Sequence, residues 1–316
     1  MWRGWRDVLA RLGFDSAARD AKLLTGHALG LSTLDMALRE TDPVTDVQVT
    51  AVAAVLQRRM SGESVARIIG EREFYGLAFG LNAATLEPRP ETEMLVDLAI
   101  ERLPQGGRLL DLGTGTGCIP ISILANRADA HGVAVDLSVE ALAAARENAR
   151  RHGVLDRLSF LAGSWFDALA PSPLRGEGWG EGFSAGVHAE GLNPSPAPSG
   201  RPLPSGERWG VANGFDLIVS NPPYITSAVV ETLEPEVKDF DPRLALDGGP
   251  DGLAPYRIIA AEAAHWLKPG GRVMVEIGYD QGEVVRALFA AAGFGDVTVR
   301  QDLNGLDRVV SAHQIL

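Results

Sequence analysis

From about residue 90 onward the chain alternates short apolar runs with stretches of helical periodicity, and this alternation is the strongest constraint on its fold. Brief apolar runs bounded by turn formers read as strands buried on both faces, the kind found in parallel sheets covered by crossover helices. The pattern predicts a helix beginning at Pro90, strand 108–112, helix 117–126, strand 131–136, a helix capped by Ser138 that stops at Gly153, and strand 158–161. Strand 215–220 follows, then a helix around 253–267, strand 272–277, a helix around 281–292 and two final strands near 296–300 and 307–313. Such an order predicts an open α/β sheet, whose ligands bind beyond the carboxyl ends of its strands.

Those ends carry the chemistry. The first strand, Arg108 to Leu112, runs into Gly113-Thr114-Gly115-Thr116-Gly117, and glycines there let the backbone approach a ligand. Pro120 falls in the first turn of the next helix, where its missing N–H does no harm. About twenty residues on, Val133-Ala134-Val135 leads to Asp136, an acid at a strand end suited to accept hydrogen bonds from both hydroxyls of a ribose. A glycine triplet alone is equally a tight turn, and its Gly-x-Gly-x-Gly spacing departs from the dinucleotide fingerprint, so no pyrophosphate need be cradled. A later run, Phe215 to Ser220, ends in Asn221-Pro222-Pro223-Tyr224, whose two prolines stop the strand and stiffen the turn. An Asn side-chain oxygen and the next backbone carbonyl can accept both hydrogens of a planar –NH2 group, while Tyr224 can cover its flat face. The turn is built to grip an amide or an exocyclic amine. With the glycine loop it points to S-adenosylmethionine rather than NAD.

At 316 residues with 46% hydrophobic composition the chain can build one large domain and a small one, as a soluble enzyme would. A net charge of −12 argues against a protein that grips phosphate backbones. The single cysteine, Cys118, excludes an internal disulfide or a cysteine-rich metal site and reads as a small packing residue. Met-Trp-Arg-Gly-Trp-Arg at the amino terminus lacks a signal-peptide core, and no apolar stretch approaches the roughly 20 residues of a membrane span. No membrane partner and a cytoplasmic location are expected.

The first 67 residues read as a helical module. Trp5, Val8, Leu9 and Leu12 repeat at helical spacing, Asp15-Ser16 can cap a second helix ending near Gly30, and Val49, Val52, Ala53, Leu56 and Met60 line a third. Residues 68–88 hold a hairpin linker in which Tyr75-Gly76 turns the chain between Glu73-Phe74 and alternating Leu77, Phe79 and Leu81. Residues 171–213, rich in Gly, Pro, Ser and Ala, contain twin Pro- and Trp-bearing segments around Trp179 and Trp209 and read as a disordered insertion within an 89–316 catalytic domain. His131 and His152 read as surface or helix-terminal residues rather than catalysts.

Asp111 to Gly117, Asp136 and Asn221 to Tyr224 resemble the cofactor and catalytic motifs of class I methyltransferases that act on planar nitrogens. Gly70-Glu71-Arg72-Glu73-Phe74-Tyr75-Gly76, Pro88-Arg89-Pro90-Glu91-Thr92-Glu93, Gly163-Ser164-Trp165-Phe166 and the segment Leu244 to Leu253 narrow the likeness to the release-factor glutamine methyltransferases, the HemK/PrmC family. The resemblance implies a Rossmann-like class I sheet with a small N-terminal helical domain, joined by a β-hairpin, that helps hold the protein substrate. It implies methyl transfer from S-adenosylmethionine to the side-chain amide nitrogen (N5) of the glutamine in the Gly-Gly-Gln loop of peptide chain release factors, by a monomer without nucleic acid. It gives Gly113, Thr114, Gly115, Thr116 and Gly117 to the methionine part and ribose, Asp136 to the ribose hydroxyls, Trp165 to the adenine, and Asn221, Pro222, Pro223 and Tyr224 to the substrate glutamine, with Asn221 touching the cofactor as well. Arg89, Glu91 and Thr92 would close the pocket wall, although Arg89 and Glu91 read equally as a helix-start salt bridge. Glu87 departs from the family, which usually has an apolar residue there, and so does the length of the 171–213 segment. Two rival readings are a catalytically silent binding protein, against which the intact glycine loop, Asp136 and Asn221 speak, and an N6-adenine methyltransferase on DNA or RNA. The second shares Asn-Pro-Pro-Tyr but calls for a basic groove.

Overall fold

The computed structural model describes residues 1–39, 41–169 and 214–315, so the expected 171–213 insertion, with Trp179 and Trp209, lies outside the described residues. Five helices form the amino-terminal module: α1 (Trp2–Arg11), α2 (Ala17–Leu29), α3 (Thr33–Leu38), α4 (Asp46–Met60) and α5 (Val65–Ile69). Reciprocal capping boxes, Ser32 with Asp35 and Thr45 with Gln48, start α3 and α4. Ser64 caps α5, and Gly30 ends α2 in the left-handed conformation. Ser16 stands at the expected N-cap of α2, but its hydroxyl donates to Asp20 Oδ2 at 2.8 Å instead of capping the backbone.

Leu9, Leu24, Val52 and Leu56 are fully buried in the module's core, whereas Leu12, Val49 and Met60, expected on the same stripes, are exposed. The buried face of α4 narrows to Val52, Leu56 and Arg59. There the Arg59 guanidinium meets Asp20 at 2.7 Å, and a buried ion pair takes the place of apolar packing.

Strands β1 (Glu71–Phe74) and β2 (Leu77–Gly80) form the hairpin, with Tyr75 and Gly76 both at positive φ as a two-residue turn requires. A 3-10 turn over Pro90–Thr92 then leads into α6 (Glu93–Arg102). The larger portion continues with β3 (Arg108–Leu112), α7 (Cys118–Asn126), β4 (His131–Asp136), α8 (Val139–Arg151), β5 (Leu158–Ala162) and β6 (Phe215–Ser220). Two short helices, α9 (Ser227–Val230) and α10 (Pro235–Lys238), precede α11 (Ala254–Trp266), β7 (Leu267–Glu276), α12 (Gly282–Ala291), β8 (Phe294–Gln301) and β9 (Asp307–Gln314).

Among the described residues the large sheet has seven strands in the order β5-β4-β3-β6-β7-β9-β8. β5 through β7 run parallel, and β9 pairs antiparallel with both β7 and β8. From β3 the chain proceeds outward through β4 and β5, then returns to β6 on the other side, so the strand order reverses between β3 and β6. A crevice at the carboxyl ends of those two strands follows from that topology. β7 starts earlier than the expected 272 because its ladder with β6 slips between Phe215 and Leu217, which admits Lys268-Pro269-Gly270-Gly271 as an irregularity within the strand. Alternate residues of the central strands feed two cores. Leu110, Ile218 and Val275 pack with α11 and α12 on one face, and Leu109, Leu217, Val219 and Met274 pack with α6 and α7 on the other.

Candidate active site

The three motif positions meet at the reversal point. A cavity of about 480 Å³ there is lined by Gly113 to Thr116, Asp136, Trp165, Asn221 and Pro223, with Cys118 and Ile119 from α7 and Arg89 and Thr92 from the turn before α6. That volume falls in the range of cofactor pockets. The glycine loop is fixed from beneath by Gly113 and Thr114, whose amides both donate to the Val135 carbonyl at 2.9 Å. Gly117, at φ +79, closes the loop at the N-cap of α7, and a Cβ there would stand 2.7 Å from Ile121 Cδ1 and 3.1 Å from Ala145 Cβ. Only glycine fits.

Asp136 accepts the Gly115 amide at 2.8 Å through Oδ2 and the Ser138 amide at 2.9 Å through Oδ1, so β4, the loop and α8 hold its carboxylate at the cavity wall. Burial raises its pKa against those bonds. Trp165 reaches the cavity from a left-handed backbone, φ +46. Cys118 is buried, and burial pushes its thiol up to about 12, in keeping with a packing role.

A second cavity, of about 240 Å³, opens on the other side of Asn221 and is lined by Glu91, Pro222, Tyr224 and Glu276. Asn221, Arg89, Leu86 and Ala245 line both cavities and form the wall between them. The Asn221 Nδ2 donates to Thr92 Oγ1 at 3.1 Å. That bond spends the amide's donor end on the protein and leaves its oxygen as the acceptor. Tyr224 is held by its backbone, because Gln281 Nε2 donates to its carbonyl at 3.1 Å.

The segment Leu244 to Leu253 carries no motif chemistry of its own in the sequence, and the structure gives it a role. Ile225 N donates to Leu246 O at 3.0 Å and Gly248 N to Ile225 O at 2.8 Å, which straps the segment along the Asn-Pro-Pro-Tyr turn. A Cβ on Gly248 would lie 2.7 Å from Pro223 O, so glycine is what permits the strap to seat.

Arg89 does not form the helix-start pair with Glu91. It reaches Asp241 at 3.0 Å, a buried carboxylate shared with Arg67 of α5 at 2.5 Å. Glu87, the departure from the family pattern, lines the larger cavity, but it accepts the Ser64 hydroxyl at 2.7 Å and pairs with Arg72 at 3.2 Å, so its charge is answered from α5's cap and the hairpin. Neither His131, at the start of β4, nor His152, at the C-cap of α8, lines either cavity.

Glu276 has no place among the sequence motifs, and Asp111 enters them only as the head of the Asp111 to Gly117 run. Asp111 on β3 is fully buried beneath the glycine loop, and burial pushes its pKa up to about 7 against the opposing Thr114 hydroxyl. Glu276, at the end of β7, is 1% exposed and likewise pushed up to about 7 by burial, with Thr92 and Asn221 opposing as hydrogen-bond partners. A strand-end polar residue followed by Ile277-Gly278 was the available signal for Glu276. Among the described residues no cluster of His, Cys, Asp and Glu could hold a metal ion, and no helix is long and apolar enough to cross a membrane.

A parallel sheet reversing at β3, a glycine loop, an acid closing β4 and an amide-gripping turn closing β6 define an S-adenosylmethionine-dependent methyltransferase of class I fold. The buried acid of Asp111 beneath the loop, with Asp136 at its wall, suits a cofactor that carries positive charge. Residues 1–70 match the PrmC N-terminal domain family and residues 103–177 a methyltransferase domain family. A release factor glutamine methyltransferase of Agrobacterium fabrum is 41% identical over 312 residues, 97% of this chain and 93% of that protein. The one from Caulobacter vibrioides is 39% identical, covering 98% of this chain and 93% of that protein. That of Salmonella typhimurium is 38% identical, covering 93% and 91%. Among solved structures, the hMettl16 catalytic domain in complex with MAT2A 3'UTR hairpin 6 shares the fold, with a TM-score of 0.51 at 12% identity over 82% of this chain and 81% of that one. The chain belongs to the release factor glutamine methyltransferase family.

Proposed function

We propose that this protein methylates the side-chain amide nitrogen of the glutamine in the Gly-Gly-Gln loop of peptide chain release factors, and that Asn221, Pro222 and Tyr224 do the work. The observation that carries the reading is the place of Asn221, on the wall shared by the two cavities with its Nδ2 tied to Thr92. An amide nitrogen is a poor nucleophile because its lone pair is delocalised into the carbonyl. When bound, S-adenosylmethionine supplies a methyl group on a positively charged sulfur, which becomes a neutral thioether as the nitrogen takes the carbon. Asn221 Oδ1 and the Pro222 carbonyl accept the two N–H bonds of the substrate amide, fix its orientation and favour the charge that develops on nitrogen. One of those protons departs to water once the nitrogen is alkylated and acidic, so no histidine base is required. Tyr224 covers the flat face of the amide from the smaller cavity.

On the donor side, Gly113, Thr114, Gly115, Thr116 and Gly117 take the methionine part and ribose, Asp136 the ribose hydroxyls, and Trp165 the adenine. Each of these except Gly117, which sets the loop's shape, lines the larger cavity. The helical module over 1–67, joined by the hairpin linker over 68–88, helps hold the release factor against the 89–316 domain, and the enzyme works in the cytoplasm as a monomer. Transfer of a labelled methyl group from S-adenosylmethionine tests the substrate class: label should enter a release factor and stay out of DNA and RNA. Label in nucleic acid would favour the N6-adenine reading.

A further inference from the structure

Ser220 of β6 lies beside Val275 of β7 in the parallel ladder, so Asn221 and Glu276, the next residue of each strand, stand side by side. Val219 and Met274, two residues before them, pack on the face covered by α6. By strand alternation Asn221 and Glu276 point to that face too, where Thr92 opens α6. Three polar side chains from three elements thus converge behind the wall that the substrate amide must touch. Thr92 is 2% exposed, Glu276 is 1% exposed, and Glu276 Oε2 has no hydrogen-bond partner among the described residues although it borders the smaller cavity.

Resting on the functional reading above, we infer that Glu276 is a positioning residue which, through Thr92, fixes which end of the Asn221 amide faces the substrate. A carboxylate can only accept. Ionised Glu276 therefore takes the Thr92 hydroxyl hydrogen, Thr92 Oγ1 is left to accept from Asn221 Nδ2, whose amide Glu276 also meets directly, and Asn221 Oδ1 is turned to the substrate –NH2. Without that polarity the Thr92 hydroxyl can donate to Asn221 Oδ1, and the flipped amide presents two N–H groups to a substrate that also brings two. Catalysis then fails although the site keeps its shape. Protonating Glu276 has the same effect, because a carboxylic acid can donate to Thr92. The charged and titratable groups facing Glu276 are Glu91, Arg308, Tyr224, Tyr256 and Cys118. Glu91 holds the proton on and Arg308 opposes it, while the two phenols and the thiol stay neutral through the range in which Glu276 titrates.

Steady-state kinetics on a release factor, with cofactor affinity measured by calorimetry, test the inference. Thr92→Val should lower kcat about 10–100-fold while the cofactor Kd stays within about 2-fold, and Thr92→Ser, which restores the hydroxyl, should recover most of the rate. Wild-type kcat should rise with pH across the neutral range, and Glu276→Gln should flatten that rise. Because both residues act through Asn221, Glu276→Gln in an Asn221→Ala background should cost nothing further. Unchanged kcat in Thr92→Val, a pH rise that survives Glu276→Gln, or losses that multiply in the double variant would each overturn the relay. A wild-type enzyme that leaves the release factor unmodified would sink the functional reading and this inference with it.

Discussion

Truncating Asn221 to alanine removes one acceptor from the wall between the two cavities while leaving both cavities in place. The side chain donates Nδ2 to Thr92 at 3.1 Å and also meets the Glu276 carboxyl. Losing these contacts should cost about 1–2 kcal/mol of folding stability, at about 1 kcal/mol for each hydrogen bond. The catalytic cost is larger. Oδ1 matters most when the amide nitrogen begins to carry positive charge, and removal of one preorganised partner of that kind lowers turnover by about 10²–10³-fold, or roughly 2.7–4 kcal/mol. The loss should fall on kcat with cofactor saturating, and calorimetry should show a much smaller change in S-adenosylmethionine affinity. Asn221→Asp keeps an acceptor but adds a charge beside Glu276, and is expected to retain partial activity where the alanine variant has almost none. A single-turnover assay on a release factor separates these outcomes. Near wild-type turnover in Asn221→Ala would refute the amide-gripping mechanism, and an equal loss in kcat and in cofactor affinity would show that Asn221 serves the donor side instead.

Asp136→Ala should weaken S-adenosylmethionine binding by about 1.5–3 kcal/mol, the range for hydrogen bonds to a charged group, and unchanged affinity by calorimetry would move the ribose site elsewhere. Burial lifts Asp111 from 3.8 to about 7, so between those pH values the unfolded chain gives up a proton that the folded chain keeps, and stability is lost as pH rises through the window. Asp111→Asn should flatten that decline and raise stability at pH 8 by about 2–4 kcal/mol in urea unfolding; a variant no more stable than wild type would show that the buried carboxylate is compensated. Asp241→Ala leaves the buried Arg67 guanidinium, 8% exposed, without its carboxylate, and should cost about 3–5 kcal/mol, whereas a loss below about 1 kcal/mol would mean the pair contributes little.

The sheet was legible because its strands are apolar on both faces and bounded by glycine and proline: β3, β4 and β6 occupy the expected residues, and β5 exceeds its expected span by one. α3 and α5, of six and five residues, are too short for a helical stripe to repeat and depend on the Ser32 and Ser64 caps, so periodicity passed over them. The exposure of Leu12, Val49 and Met60 was hidden for a different reason, since spacing says which residues share a face but not how far the neighbouring helix covers it. Within the site, the glycine loop, Asp136, Trp165 and the Asn-Pro-Pro-Tyr turn announce themselves by residue type at strand ends, and the fold brings them to one crevice. Thr92, Glu276 and Asn221 come from 90–92, β7 and the end of β6, and their convergence depends on ladder register, which residue spacing along the chain does not encode. The partners of Glu87 and Arg89 were likewise set by contacts between the helical module, the hairpin and the loop around Asp241.

The most direct test of the account is fragmentation mass spectrometry of a release factor after incubation with this protein and S-adenosylmethionine. One added methyl on the glutamine of the Gly-Gly-Gln loop, absent with Asn221→Ala, is the predicted result. An unmodified glutamine, or a methyl group on another residue, would contradict it.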